Sequence, residues 1–209
     1  MKVQEFAGGP AEPTVEIVEQ RECYRGFFRM EQYRLRHRRF DGSMSPWLTR
    51  ELFERGHAAA VLPYDPVLDQ VVLLEQFRIG ALMAPGGPWL LEIVAGIIEP
   101  GETAAAVVQR EMLEEAGCHL LALEPICDYL VSPGGTSERI SLYCGRVDAS
   151  GAGGIHGLAE EGEDIRVSAV SFAEAMALLA SGRLNSASPI IALQWLQMNR
   201  GRLRQTWCP

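Results

Sequence analysis

The sequence has no apolar run of the roughly 18 residues that a membrane helix needs, so no membrane span is expected. Its first ten residues, Met-Lys-Val-Gln-Glu-Phe-Ala-Gly-Gly-Pro, lack the apolar core of a secretion signal. It has no CxxC pair. Its five cysteines, at positions 23, 118, 127, 144 and 208, are scattered and odd in number, which suggests reduced thiols and a cytoplasmic setting. No HExxH or similar spacing links His37, His57, His119 and His156, and each is assigned an ordinary structural role. Neither an internal repeat nor a low-complexity tract is present. Basic charge is scarce as well: 19 Lys and Arg against 27 Asp and Glu leave a net charge of −8. That balance argues against a nucleic-acid partner, which wants a basic surface. An anionic small molecule is still admissible, because bound cations and a few local arginines can meet a phosphate.

The length of 209 residues suits one domain, or one domain with an appendage. Residues 1–55 read as an N-terminal β region. Val15 to Cys23, Phe27 to Phe40 and Trp47 to Phe53 look extended, and Asp41-Gly42 signals a hairpin turn. Residues 56–209 differ in texture. Ala58 to Leu62 and Val71 to Leu74 read as buried strands around a turn at Pro63 to Pro66, and Trp89 to Val94 reads as another strand. A helix is predicted from about Thr103 to Ala116, with Ala105, Val108, Met112 and Ala116 as its apolar stripe and Gly117 as a left-handed cap. Strands follow near 123–131, 139–147 and 165–172, and helices near 174–181 and 187–200. Between 148 and 164 lies a Gly-rich acidic stretch of the length that is usually functional or disordered. The mixture predicts an α/β sandwich.

The predicted helix carries the chemistry. Glu111, Glu114 and Glu115 stand at i, i+3 and i+4, so the three carboxylates crowd one face. In an isolated helix each like-charge pair costs roughly 0.2–0.5 kcal/mol. A divalent cation such as Mg2+ takes hard oxygen ligands and would turn that repulsion into attraction.

The spacing Gly96-x5-Glu102-x7-Arg110-Glu111-Met112-x-Glu114-Glu115-x-Gly117-Cys118 resembles the signature of the Nudix hydrolases, with Cys118 the least typical residue in it. A chance match is on the order of 10^-7 or less at average residue usage. The resemblance implies a Nudix-type α/β/α sandwich preceded by a small N-terminal β-sheet domain, and hydrolysis of a pyrophosphate joining a nucleoside to a second group. Glu111 and Glu115 are the preferred metal ligands, with Glu114 beside them. Gly96 permits a tight loop that can turn the Ala95 carbonyl to the metal. Arg110 is read as a pin that pairs with Glu114, and Glu102 as part of the same support.

A closer resemblance, to the bacterial ADP-ribose pyrophosphatases of this superfamily, covers nearly the whole chain. It is carried by Tyr24 to Phe28, Arg50 to His57, Glu75 to Arg78, Ser132 to Arg139, His156 to Glu161 and Ile190 to Gln197. It implies hydrolysis of ADP-ribose to AMP and ribose 5-phosphate with Mg2+ or Mn2+, two or three ions per site. It also implies a homodimer with exchanged N-terminal strands. Phe27 and Phe28 would pack around the adenine, with Arg50, Glu51 and Arg55 reaching the nucleotide. Arg78 would meet phosphate, and Ile97, Ser132, Pro133, Gly134 and Glu138 would line the ribose end. Glu161 would be the catalytic base, and Glu163 would approach a metal when its loop closes. The chain departs from the family at Gly162, where a polar residue is common, and in the apolar linker 81–88. Two other readings keep the fold: a pyrophosphatase for other nucleotide sugars or dinucleotides, and a non-catalytic ADP-ribose sensor. Intact signature carboxylates argue against the sensor.

Overall fold

The computed structural model describes residues 2–4 and 15–208. The chain divides into two compact units, Met1–Gly56 with Leu130–Glu138, and His57–Tyr129 with Arg139–Pro209. The segment 130–138 thus packs with the N-terminal region and not with the sequence that flanks it.

In the first unit four strands, β1 (Lys2–Gln4), β2 (Val15–Arg25), β3 (Arg29–His37) and β4 (Leu48–Glu54), form an antiparallel sheet in chain order. Gly26, Phe27 and Phe28 make the turn from β2 to β3, so the break falls later than the sequence suggested. The Asp41-Gly42 turn lies where expected, with Gly42 at φ +85° donating its N–H to the Arg39 carbonyl at 3.0 Å. From Val18 to Arg25 every residue of β2 is exposed, so neither face of that half of the strand is covered.

The second unit is built on β5 (Ala58–Asp65), β6 (Gln70–Phe77), β7 (Trp89–Glu92), β8 (Val94–Ile97), helix α1 (Ala104–Glu114), β9 (Ala122–Leu130), β10 (Arg139–Arg146), β11 (Gly153–His156), β12 (Ile165–Ser171), α2 (Phe172–Ala180) and α3 (Ala187–Trp207). The sheet runs β11-β12-β6-β5-β10-β9, with β7 on β6 and β8 on β5. β10 is parallel to β5. Alternation along the two central strands makes the layers. Ala59 and Val61 of β5 and Val72 and Leu74 of β6 pack with Val107, Val108 and Met112 of α1. Their neighbours Ala60, Leu62, Tyr64, Val71 and Leu73 pack on the other side with Phe172 and Ala175 of α2 and Leu193, Leu196 and Leu203 of α3. Each fully buried leucine contributes about 1.5–3 kcal/mol. The result is the α/β/α sandwich.

Three local expectations are corrected. Pro63 lies inside β5, and the turn is at 66–69. Pro63 falls where pairing with β8 has ended at Val61 and pairing with β6 has begun at Tyr64, so it interrupts neither ladder. The expected strand Trp89 to Val94 is divided between two strands, because the chain passes from β6 to β5 at the buried Ile93. In α1, Val107 is buried and Ala105 is exposed, shifting the apolar stripe by part of a turn.

Candidate active site

Helix α1 is capped by Thr103, whose hydroxyl accepts from the Ala106 N–H at 3.2 Å. It ends in a glycine cap. Gly117 sits at φ +62°, and Cys118 donates its N–H to the Met112 carbonyl at 3.0 Å. The apolar stripe holds the helix on the sheet and turns the carboxylates toward β8. Glu115 is only 2% exposed, and its Oε2 accepts from the Ala95 N–H at 3.0 Å. The Ala95 peptide therefore meets Glu115 through its N–H. Glu111 fills the space left by the missing side chain of Gly96, where a methyl would collide with its carboxylate. Burial raises the affinity of both carboxylates for a proton. For Glu115 it does so against the Ala95 hydrogen bond and with added repulsion from Glu111, so that its pKa is pushed up to about 8.

Arg110 gathers three carboxylates. It donates to Glu111 Oε1 at 2.7 Å and Glu114 Oε2 at 3.0 Å, and its Nε lies 3.5 Å from Glu102 Oε1. Glu102 also accepts from the Glu99 N–H, which fixes the loop before the helix. On the far side of the site, residues 153–164 form β11, a turn of 3-10 helix at Ala159–Glu161 and Gly162 at φ +71°. Glu163 is close enough that its charge helps raise the pKa of both Glu111 and Glu115. The Glu161 side chain lies outside the described residues. Arg78 follows β6 and bonds Glu92 Oε2 at 2.7 Å, and its charge acts on Glu115 in the opposite sense to that of Glu163. Ile97 ends β8, part-exposed beside Gly96.

The first unit holds a second constellation. Phe27 is 88% exposed and stands edge-on to Phe28 at 4.8 Å, and Phe28 stands edge-on to Phe53 at 5.3 Å. The Arg55 guanidinium lies over the Phe28 ring at 5.0 Å, with Nε 3.3 Å from Oε1 of the buried Glu138. Ser132, Pro133 and Gly134 form a turn that accepts the Gly135 and Thr136 N–H groups at the Ser132 carbonyl. That turn is tied to β4 by Phe53 N–H to the Gly135 carbonyl at 2.8 Å and by Ser137 Oγ to Glu54 Oε2 at 2.6 Å. Arg50 donates to its neighbour's carbonyl, Thr49 O, and Glu51 is exposed on β4.

The NUDIX domain profile matches residues 54–192, which include every signature position. The chain belongs to the NUDIX family. It is 52% identical over 193 residues, 92% of each chain, to a protein of Escherichia coli strain K12 named ADP-ribose pyrophosphatase. It is 42% identical over 209 residues to a protein of the same name from Haemophilus influenzae, covering 99% of this chain and 94% of that one. A crystal structure of an ADP compounds hydrolase shares the fold, with a TM-score of 0.69 over 95% of this chain and 100% of that one at 20% identity.

NUDIX enzymes generally use divalent cations. The residues here fit one in chemistry: crowded carboxylates, two of them desolvated, with Gly96 leaving the room that the Glu111 carboxylate takes up. Among the described residues, no three Asp, Glu, His or Cys side chains converge into a group that could hold a metal ion. Arg110 instead takes up the charges of Glu111 and Glu114. Phe53, Glu92 and His156 were not singled out from the sequence. A phenylalanine or glutamate in a strand gives no such signal, and His156 lies in no ligand spacing.

Proposed function

We propose that this chain hydrolyses the pyrophosphate of ADP-ribose to AMP and ribose 5-phosphate, using Mg2+ or Mn2+. The observation that carries the reading is 52% identity over 92% of both chains to a protein of that activity by name, with all signature carboxylates in place. Glu111, Glu114, Glu115 and Glu163 would hold the cations, with an Ala95 backbone oxygen as a further ligand. Four carboxylates exceed the one or two from which Mg2+ usually binds, which favours two or three ions over one. When bound, the metal neutralises phosphate oxygens and lowers the pKa of water. Glu111 exchanges its Arg110 partner to take part, and Arg110 keeps Glu114 and Glu102 aligned. Arg78 exchanges Glu92 for a phosphate oxygen, a role suited to a planar guanidinium. Glu161 takes the proton of the attacking water.

Phe27 and Phe28 stack on the adenine, and Arg55, locked between Phe28 and Glu138, holds that platform as well as reaching the nucleotide. Arg50 and Glu51 contact the nucleotide, and Ile97, Ser132, Pro133, Gly134 and Glu138 line the ribose end. The chain acts as a homodimer with exchanged N-terminal strands, a reading supported by the uncovered run of β2. Five free cysteines favour the cytoplasm.

The test is Mg2+-dependent turnover across ADP-ribose, ADP-glucose, NADH and diadenosine polyphosphates. The highest kcat/KM is expected for ADP-ribose, with AMP as product. A preference of about tenfold or more for another member of the panel, equal to roughly 1.4 kcal/mol of transition-state binding, would replace this substrate.

A further inference from the structure

His156 ends β11 where the chain turns back over the C-terminus of α1. Its Nε2 lies 2.9 Å from the Gly153 carbonyl oxygen. Its ring packs on the backbone of Gly117, where a methyl group would fall 2.6 Å from Cε1 and 3.2 Å from Nδ1. Gly157 follows and donates its N–H to the Glu114 carbonyl at 3.3 Å. A methyl on Gly157, at φ +101°, would meet Glu163 Cβ at 2.7 Å. Glu163 then closes the loop on itself. Its N–H donates to the Leu158 carbonyl at 3.2 Å, and its Oε2 accepts from the Leu158 N–H at 3.1 Å. One unbroken set of contacts therefore joins the end of the carboxylate helix to the loop carboxylate through Gly117, His156, Gly157 and Glu163.

The geometry points to His156 as a positioning residue that, wedged on Gly117, sets where the 157–163 loop leaves α1 and so where Glu163 stands relative to Glu111 and Glu115. It gives Gly117 a second reason to be glycine besides its left-handed cap. The inference rests on the reading that Glu163 serves the reaction, and it concerns the path by which that side chain is placed.

The experiment measures kcat and KM for ADP-ribose in the full chain and in His156→Ala, Glu163→Gln and the double variant. Amide exchange at Gly157 and Leu158 is followed in the cation-free protein. His156→Ala is expected to lower kcat by about tenfold to a hundredfold with KM within about twofold, the size of effect seen when a supporting partner is lost. In the Glu163→Gln background the same change should cost no more than about twofold, because both act on one element. The Gly157 and Leu158 amides should exchange at least about tenfold faster in His156→Ala while sheet amides keep their rates. Gly117→Ala should recover part of its lost turnover when His156→Ala is added, since the clash goes and only the backbone strain stays. If His156→Ala does not fold, His156→Asn takes its place, removing the ring from Gly117 while retaining a polar group toward Gly153. A slow Glu163→Gln beside a normal His156→Ala, or losses that multiply in the double variant, would overturn the inference. Normal turnover in Glu163→Gln would overturn the underlying reading of that carboxylate, and unchanged amide exchange in His156→Ala would show that the ring does not hold the loop.

Discussion

The two units bury themselves differently. The NUDIX sheet is dry on both faces: β5 is buried at every position, and helices lie on each side. The N-terminal sheet leaves the second half of β2 open and displays Phe27, Tyr24, Arg21, Arg25 and Arg34. The first arrangement suits a rigid frame that fixes charged groups. The second leaves an open surface, where the proposed nucleotide at Phe27 and the proposed second copy along β2 would bind. Changes in the sandwich should therefore act on turnover and stability, and changes in the N-terminal sheet on substrate affinity and assembly.

The sharpest break comes from the helix. Glu111→Gln should lower kcat by about a thousandfold, equal to the several kcal/mol of charge stabilisation a metal site provides, with the fold intact by circular dichroism. Next is Glu161→Gln, with a kcat loss of at least about a hundredfold and little change in ADP-ribose affinity, as for a lost general base. Steady-state kinetics with an independent binding measurement checks both, and near-normal turnover in either variant would remove that assignment. Phe27→Ala should do the opposite, raising KM by about fivefold to a hundredfold, the equivalent of roughly 1–3 kcal/mol of base stacking, with kcat almost unchanged. If Phe27→Ala cut kcat and left KM alone, the division of labour between the units would be wrong.

The smallest effect lies far from the chemistry. Asp69, at φ +57° in the β5–β6 turn, accepts from Arg200 Nε at 2.6 Å and from the Tyr64 hydroxyl at 2.9 Å. The Arg200 hydrogen bond, then that of Tyr64, hold its carboxyl below the ordinary value of 3.8 against the opposing effect of burial. A depressed carboxylate stabilises the fold above its unfolded pKa, and the contribution is lost as pH falls through the folded value. Asp69→Asn should cost about 1 kcal/mol at neutral pH, and the gap to the parent should close only below about pH 4 in thermal melts.

The sequence was most readable where one local pattern ruled. The continuous apolar runs 58–62 and 71–74 foretold strands buried on both faces, and the Glu111, Glu114, Glu115 spacing foretold carboxylates close enough along α1 to act on one another. It was least readable where tertiary neighbours decide. Pro63 announces a turn by its chemistry yet sits in a strand, because its position in the ladder requires no N–H on the side shared by β8 and β6. The run Trp89 to Val94 cannot reveal that the chain changes partners at Ile93. Arg110 was expected at Glu114, but only the fold shows it holding Glu111 and Glu102 as well. His156 looked ordinary because its partner, Gly117, has no side chain to advertise the contact.

The central claim is that α1 presents its carboxylates to a divalent cation. Titration of Mn2+ into the parent chain, Glu111→Gln and Glu115→Gln, followed by electron paramagnetic resonance with a non-cleavable ADP-ribose analogue present, tests it most directly. Saturable binding in the parent, weakened at least about tenfold in each variant, is the predicted result. Equal Mn2+ affinity in all three proteins would contradict it.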